Sequence, residues 1–181
     1  MQLSTYQGVV WDLDGTLVHL DVDWDDVAQA VTERFEREGI GVDSYQLWDM
    51  LTLASEYDIR QDIESIISAY EREGAQSATL APGAAYVGDA TVEGVCSLNS
   101  ESACRVALEK HALKGSIQSI IGRDTVAAHK PDPLPLKQSA RNLDIDMESI
   151  IFIGDSVTDK QAAEAAGMSF AYLTEIEGSQ Q

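Results

Sequence analysis

The stretch Gly8-Val9-Val10-Trp11-Asp12-Leu13-Asp14-Gly15-Thr16 decides how this chain folds. Its apolar start predicts a short buried strand that ends at Asp12, and Gly15 indicates a tight turn directly afterwards. In an extended backbone, residues two apart point to the same side. The carboxylates of Asp12 and Asp14 are therefore expected to project together from the end of this strand.

Between residues 20 and 80 the pattern changes to helical spacing. Apolar residues recur at this spacing in three stretches, which predict three helices: Trp24, Val27, Ala28, Val31 and Phe35; Leu47, Leu51 and Ala54; Ile59, Ile63, Ile66, Ile67 and Tyr70. Gly39 and Gly74 are expected to end the first and third helices, and Ser44 to cap the second. The segment is predicted to be a small α-helical domain inserted after the first strand.

After Pro82-Gly83, short apolar runs alternate with amphipathic stretches. Strands are predicted at 95–97, 117–121, 150–153 and 169–173, and helices at about 100–111, 132–143 and 158–166. This alternation predicts an α/β fold with a parallel sheet of about five strands, covered by helices on both faces. Residues 1–19 and 81–181 are expected to form this core domain, and residues 20–80 the helical domain.

The charge of the chain is unusual, with 31 acidic residues against 12 basic ones in 181 residues and a formal net charge of −19. Such a surface repels nucleic acid and anionic membranes, so neither is an expected partner. Two explanations of the acid excess stay open: a halophilic source with high internal salt, and an ordinary acidic cytoplasmic protein. A cytoplasmic location is expected, since no run resembles a signal peptide or a membrane span.

The cysteine and histidine residues show no metal-ligand spacing. Cys96 and Cys104 are predicted to be reduced thiols in the core. His19, His111 and His129 are expected to be surface or packing residues.

Three polar segments carry the residue types of a catalytic site: Asp12-Leu13-Asp14-Gly15-Thr16, Lys130-Pro131-Asp132-Pro133 and Gly154-Asp155-Ser156-Val157-Thr158-Asp159. The first and third directly follow predicted strands, at the edge where open parallel sheets place their sites. Carboxylates packed together there need a cation or shared protons, because two unit charges roughly 4 Å apart repel by about 4 kcal/mol at an effective dielectric of about 20. Oxygen ligands without His or Cys indicate Mg²⁺.

In this order, and with a hydroxyl residue at the end of the strand at 95–97, the segments resemble the four motifs of the haloacid dehalogenase superfamily. They are similar in particular to the phosphoglycolate phosphatase and β-phosphoglucomutase-like group. The resemblance spans residues 8–173. It implies a Rossmann-like core with a small helical cap, and Mg²⁺ as the cofactor.

The resemblance implies a role for each matching residue. Asp12 is the expected nucleophile, which forms an aspartyl-phosphate, and Asp14 is the expected general acid and base. The expected metal ligands are Asp12, the backbone carbonyl of Asp14, and Asp155. Asp159 is expected to support the metal site without contacting the ion directly, and to hold Lys130. Lys130 is an expected catalytic residue that neutralises the nucleophile and binds the phosphoryl oxygens.

The second motif is a hydroxyl that binds a phosphoryl oxygen, and it is assigned to Ser97 as a catalytic and substrate-binding residue. Asn99 and Ser100 are close enough in sequence to take its place. Leu98 and Asn99 complete the expected substrate contacts of this loop.

Several polar residues outside the four motifs are also assigned a role. Further substrate contacts are expected within 18–24 and 80–83. The acidic run Asp21, Asp23, Asp25 and Asp26 is interpreted as a solvated face that starts a helix. Arg123 resembles part of a segment in related phosphatases, but a surface role is at least as well supported.

The resemblance implies a Mg-dependent phosphatase that hydrolyses a small organic phosphate monoester, such as phosphoglycolate or a sugar phosphate. Dehalogenation is disfavoured, because dehalogenating members of the superfamily lack an acid at the position of Asp14. A phosphomutase of the β-phosphoglucomutase type and a non-catalytic binding module stay open as alternatives. The expected partner is a small phosphorylated metabolite, and the chain is expected to be a monomer or a homodimer.

Overall fold

The computed structural model describes residues 3–177. The strands in this range are β1 (Gly8–Trp11), β2 (Val18–His19), β3 (Thr79–Leu80), β4 (Glu93–Cys96), β5 (Ser119–Ile121), β6 (Ile150–Gly154) and β7 (Ser169–Tyr172). The α-helices are α1 (Trp24–Glu36), α2 (Leu47–Leu53), α3 (Arg60–Ser77), α4 (Glu101–Lys110), α5 (Leu134–Leu143), α6 (Val157–Ala166) and α7 (Leu173–Glu177).

The centre of the fold is a five-stranded sheet in the order β5-β4-β1-β6-β7. All of its paired strands are parallel. β1 lies in the middle and all four of its residues are buried, which is why its sequence is a continuous apolar run. The predicted parallel α/β fold of about five strands is therefore confirmed.

Alternating side chains of β1 serve two hydrophobic cores on opposite faces of the sheet. Val9 and Trp11 join a cluster with residues of α4 and α7, whereas Val10 joins a cluster with residues of α5 and α6. Helices therefore cover both faces of the sheet. Because the sheet is packed on both sides, the polar residues that follow its strands are held in fixed positions.

The helices α1, α2 and α3 lie between β2 and β3, which pair with each other antiparallel. We call residues 20–78 the helical insert. Its helices share a hydrophobic cluster of their own, and α3 also packs against α4 of the main fold. Asp23 caps α1 by accepting from the backbone N–H groups of Asp25 and Asp26, which confirms that the acidic run starts a helix.

Two predicted helix boundaries are wrong. α3 does not stop at Gly74 but continues to Ser77. The backbone of Asp21 passes so close to Gly74 that a Cβ at this position would lie 2.6 Å from the Asp21 carbonyl oxygen. The glycine thus serves close packing rather than helix termination. Ser44 does not cap α2, since a turn closed by the Tyr45 N–H and the Val42 carbonyl lies before it and α2 begins at Leu47.

Among residues 3–177, none of the helices combines the length and hydrophobicity that crossing a bilayer requires.

Candidate active site

Three strands of the parallel sheet end side by side and present the predicted catalytic segments at one edge. Trp11, the last residue of β1, is in register with Val95 of β4 and Ile153 of β6. The next residue on the central strand is Asp12, whose backbone N–H donates to the Ile153 carbonyl at 2.8 Å. Ser97 and Asp155 follow β4 and β6 directly. The parallel register therefore brings residues from distant parts of the chain together.

Lys130 lies at the centre of the group. Its Nζ donates to Asp12 Oδ1 at 2.7 Å, to Asp159 Oδ1 at 2.5 Å and to the Cys96 carbonyl at 3.1 Å. The Lys130 side chain is 2% exposed, so these contacts replace water almost completely. The ring centroid of Phe152 lies 5.2 Å from the same ammonium. The lysine is consequently fixed beside the carboxylate of Asp12.

The electrostatics of this pair are dominated by burial. Burial raises the pKa of Asp12 to about 7, against the opposing effect of the Lys130 charge and with a further increase from Asp159. Burial alone would lower the pKa of Lys130, but Asp12, Cys96 and Asp159 together more than offset it, so the pKa is raised. The lysine is thus charged at neutral pH, and the Asp12 carboxylate needs positive charge around it to stay ionised.

An oxygen cluster beside Lys130 is suited to a divalent cation. One carboxylate oxygen from each of Asp12, Asp155 and Asp159 lies within 4.8 Å of the other two. Burial raises the pKa of Asp155, and the charge of Asp159 raises it further. An all-oxygen donor set with excess negative charge fits a hard cation such as Mg²⁺ and does not fit a metal that prefers sulfur or nitrogen.

The Asp14 carboxylate is oriented differently from this oxygen cluster. Its Oδ1 accepts from the backbone N–H of Leu20 at 2.9 Å, just after β2. Burial raises the pKa of Asp14 above its ordinary value, which favours the protonated form that a general acid needs. The turn that follows Asp14 needs glycine at position 15. The φ of Gly15 is +84°, and a Cβ at this position would collide with the Asp155 carboxylate.

Asp159 is held in place by the start of α6. Its Oδ2 accepts from the backbone N–H of Ser156 at 3.1 Å and from the Ser156 hydroxyl at 2.6 Å, while Ser156 in turn caps α6. Because its Oδ1 pairs with Lys130, both oxygens of Asp159 already accept hydrogen bonds within the chain. This geometry favours Asp159 as a residue that positions Lys130.

The loop after β4 contains the three residues predicted for the phosphate-binding hydroxyl. Ser97 Oγ donates to Asn99 Oδ1 at 3.0 Å and accepts from the Asn99 backbone N–H at 3.1 Å. Ser97, Leu98 and Asn99 line the same cavity as Asp12 and Lys130. Ser100 instead caps α4 and is not among the residues that line this cavity in the described range. Of the open alternatives, the geometry favours Ser97 and Asn99.

The sequence matches the model of the haloacid dehalogenase-like hydrolase family over residues 9–173. The protein belongs to this family. Among curated relatives, the phosphoglycolate phosphatase of Rhodospirillum rubrum is 30% identical, over 93% of this chain and 82% of that protein. The phosphoglycolate phosphatase of Cereibacter sphaeroides is 33% identical, over 93% of this chain and 85% of the relative.

Solved structures show the same fold at low sequence identity. A haloacid dehalogenase-like hydrolase from Bacteroides fragilis superposes with a TM-score of 0.65 at 23% identity, covering 91% of this chain and 86% of that one. CbbY from Rhodobacter sphaeroides in complex with phosphate has a TM-score of 0.65 at 20% identity, covering 92% and 85%. The family match and the curated relatives confirm the predicted superfamily and its phosphoglycolate phosphatase group. They also confirm the predicted enzyme class, a hydrolase whose curated relatives are phosphatases.

The hydrolase has a second buried charge cluster that the sequence did not reveal. Arg123 is not on the surface, and its Nη1 and Nη2 donate to Glu71 Oε1 and Oε2 at 2.5 and 3.2 Å. Its Nε donates to Glu64 Oε2 at 3.0 Å, and Nη1 also donates to the Leu98 carbonyl at 2.9 Å. The surface role considered for Arg123 is therefore wrong, because these carboxylates of α3 and a site-loop carbonyl enclose its guanidinium.

Glu71 extends this cluster into the catalytic loop of the hydrolase. Its Oε2 accepts from the backbone N–H of Ser100 at 3.0 Å, and the Asn99 amide lies 3.5 Å from Oε1. One signal could have identified Glu71 in the sequence: it lies four residues after Ile67, on the apolar stripe of α3. A lone carboxylate on such a stripe has to find a buried partner.

Two tryptophans of the helical insert complete the cavity of the hydrolase, which measures about 220 Å³. Trp24 and Trp48 line it together with the carboxylates, and their ring centroids are 5.8 Å apart. Of the segments predicted to contact substrate, residues 18–24 contribute Trp24 to the cavity. Residues 80–83 are not among the described residues that line it. Trp48 was not predicted, since it lies beside the apolar stripe of α2 and belongs to no motif.

The cysteine and histidine predictions agree with the structure of the hydrolase. Cys96 and Cys104 are free, buried thiols. His111 Nε2 lies 2.9 Å from the Ala78 carbonyl, a packing contact, whereas His19 and His129 are exposed.

Proposed function

We propose that the protein hydrolyses phosphate monoesters of small alcohols with the help of Mg²⁺, and that Asp12 carries the phosphoryl group between the two half-reactions. The observation that carries this proposal is the placement of the Lys130 ammonium between Asp12 and Asp159 at the end of the central strand, 2.7 and 2.5 Å from their carboxylate oxygens. Family membership and the names of the phosphatase relatives support it.

In the first half-reaction, Asp12 attacks phosphorus. Lys130 occupies Oδ1 of Asp12 and so orients the other carboxylate oxygen toward the cavity. As the new oxygen–phosphorus bond forms, the bond from phosphorus to the alcohol oxygen breaks. The alcohol oxygen takes the bonding electron pair and receives a proton from Asp14. Lys130, Ser97 and Asn99 line the space that the phosphoryl oxygens occupy.

In the second half-reaction, a water molecule attacks the phosphorus of the aspartyl-phosphate. Asp14 accepts a proton from this water, and Asp12 leaves as a carboxylate while inorganic phosphate is released. Burial raises the pKa of Asp14 above its ordinary value, which favours the protonated form that the first half-reaction needs and supports the role of Asp14 as a general acid.

Asp12, Asp155 and the backbone carbonyl of Asp14 would hold Mg²⁺, and Asp159 would support them through Lys130. When bound, Mg²⁺ supplies positive charge that the four carboxylates and one lysine of this cavity lack. A substrate phosphate with about two negative charges at neutral pH would otherwise be repelled.

We assign residues 20–80 to a cap and residues 1–19 and 81–181 to the catalytic core. The two tryptophans of the insert support this division, because they line the same cavity as the residues that follow the strands. A cap of this kind would exclude water from the phosphoryl group. A monomeric or homodimeric state, a cytoplasmic location and a halophilic source stay predictions.

The test measures release of inorganic phosphate from a panel of phosphate monoesters with Mg²⁺, at low and molar KCl. Native protein is expected to release phosphate, and Asp12→Asn to lose at least about 10³-fold in kcat because the nucleophile is absent. Asp26→Asn, which removes an exposed acid of α1, is the matched control and is expected to keep the native rate. Acid quenching during turnover should trap label from the phosphoryl group on native protein but not on Asp12→Asn.

The outcomes separate the proposal from its alternatives. Isomerised sugar phosphate without phosphate release would indicate a mutase, and binding without any change to the ester would indicate a binding module. Near-native turnover by Asp12→Asn would refute the proposed nucleophile.

A further inference from the structure

The cavity of the proposed phosphatase is deficient in positive charge on its substrate side. Lys130 is the single Lys or Arg among the described residues that line it, against the carboxylates of Asp12, Asp14, Asp155 and Asp159. Both carboxylate partners of Lys130 are within 2.7 Å, so its charge is already balanced inside the catalytic group. A divalent cation and the lysine together can accommodate a phosphate group, but no lining cation remains for a second anionic group.

The nearest further cation is not available to a substrate either. The Arg123 guanidinium lies 5.6 Å from the ring centroid of Trp48, and Arg123 is not among the described residues that line the cavity. Its side chain is 2% exposed and pairs with both Glu71 and Glu64. Two carboxylates against one guanidinium leave this neighbourhood negative, which adds to the repulsion of an anion.

Trp24 and Trp48 connect the catalytic cavity to a second concavity. Both residues also line a groove of about 650 Å³ in the helical insert, together with Tyr45, Asp43 and Gln46. Trp24 is 36% exposed and Trp48 is 46% exposed, unusual values for such large aromatic rings. Exposed rings that join two concavities provide flat apolar surface for a ligand that extends from the phosphate site.

The polar residues of the groove are hydrogen-bonding groups without positive charge. Asp25, Asp43, Gln46 and Thr32 line it, and no Lys or Arg is among its lining residues in the described range. Carboxylates accept hydrogen bonds from hydroxyl groups, whereas they repel other carboxylates and phosphates. Aromatic rings favour the apolar face of a ring-shaped or polyol ligand.

From these observations we infer that the alcohol part of the substrate is an uncharged, hydroxyl-rich group, such as a sugar or polyol, and that Trp24 and Trp48 select it. This inference rests on the proposed function and deepens it by naming the substrate class. It separates this chain from its relatives named phosphoglycolate phosphatase, because the described residues that line the cavity offer no free cation to the carboxylate of phosphoglycolate. The inferred substrate class also differs from the ligand of CbbY, a mutant of which was solved in complex with a xylulose bisphosphate.

The test compares esters that differ in one charge. Hydroxyethyl phosphate matches phosphoglycolate with an alcohol in place of the carboxylate. A hexose phosphate carries an uncharged hemiacetal carbon where the corresponding phosphogluconate carries a carboxylate. With Mg²⁺ and constant ionic strength, kcat/KM is expected to be at least about tenfold higher for the neutral member of each pair, because like charges brought together are disfavoured. The substrates are also titrated calorimetrically against Asp12→Asn, which measures their binding without turnover.

Variants of the tryptophans locate the selectivity. Trp48→Ala and Trp24→Ala are expected to lower kcat/KM for the hexose phosphate by about tenfold or more. The rate for hydroxyethyl phosphate should change less, because its two-carbon group offers the rings less apolar surface. Trp48→Phe should recover most of the loss. Trp48→Arg should raise kcat/KM for phosphoglycolate relative to hydroxyethyl phosphate. Tyr57→Ala removes an exposed ring that is 46% accessible and lines neither concavity, and should change nothing.

Equal or faster turnover of phosphoglycolate than of hydroxyethyl phosphate would overturn the inference while leaving the phosphatase proposal intact. The same holds if the tryptophan variants slow both esters equally. If native protein turns over none of the esters, the proposed function fails, and the calorimetric preference between neutral and carboxylate esters still decides the inference on binding selectivity.

Discussion

Removing one partner of the buried Arg123–Glu71 pair is expected to destabilise the fold far more than removing a surface charge. The Glu71 side chain is fully buried and the Arg123 side chain is 2% exposed. In Arg123→Ala, the buried Glu71 carboxylate would lose its bidentate partner, and the Leu98 carbonyl would lose a donor. Breaking a buried ion pair in this way costs about 3–5 kcal/mol.

The measurement is urea unfolding, followed by circular dichroism at constant KCl. With a slope of about 2 kcal/mol per molar urea, Arg123→Ala should lower the unfolding midpoint by about 1.5–2.5 M. Asp62→Ala is the matched control, because its bond to Arg34 is 2.7 Å long but the Asp62 side chain is 55% exposed. A pair with that exposure contributes about 0–1 kcal/mol.

A double-mutant cycle tests whether the cost comes from the pair itself. In the background of Glu71→Leu, Arg123→Leu should cost about 2 kcal/mol less than in the native protein, because the fully buried Glu71 carboxylate is then absent and cannot be left without its partner. If Arg123→Ala shifted the midpoint no more than Asp62→Ala does, or if the two substitutions simply added, the pair would not be the stabilising contact that its geometry indicates.

Four further predictions follow from other parts of the structure. Chelation with EDTA should abolish phosphate release and added Mg²⁺ should restore it, whereas full activity after chelation would exclude the proposed metal site. Gly74→Ala should lower the free energy of unfolding although alanine favours helices by about 1 kcal/mol, because its Cβ would meet the Asp21 backbone; thermal melting checks the sign. Cys96 and Cys104 should react with a thiol reagent only after denaturation, since burial raises the pKa of both, of Cys96 to about 12; rapid labelling of native protein would contradict this. The melting temperature should rise steeply with molar KCl because of the net charge of −19, and a salt-independent value would rule out the halophilic explanation.

The sequence by itself determined the parallel α/β fold and the order of its catalytic segments. Buried parallel strands require continuous apolar runs, so Gly8–Trp11 and Ile150–Gly154 could be recognised locally. The position of an aspartate directly after such a run is set by the strand, so the sequence alone identified Asp12 and Asp155 as candidate site residues. Helix ends were less accurate, because a glycine such as Gly74 signals either a stop or a close backbone contact.

Only the tertiary structure decided which residues far apart in sequence share an environment. Arg123 meets Glu71 across 52 positions, and no local pattern contains that distance. Trp48 has the sequence surroundings of an ordinary exposed helical residue, and its place over the cavity follows from the packing of the helical insert on the sheet. The physical reason is that periodicity reports the face a residue occupies on its own element, whereas contacts between elements depend on how those faces are assembled.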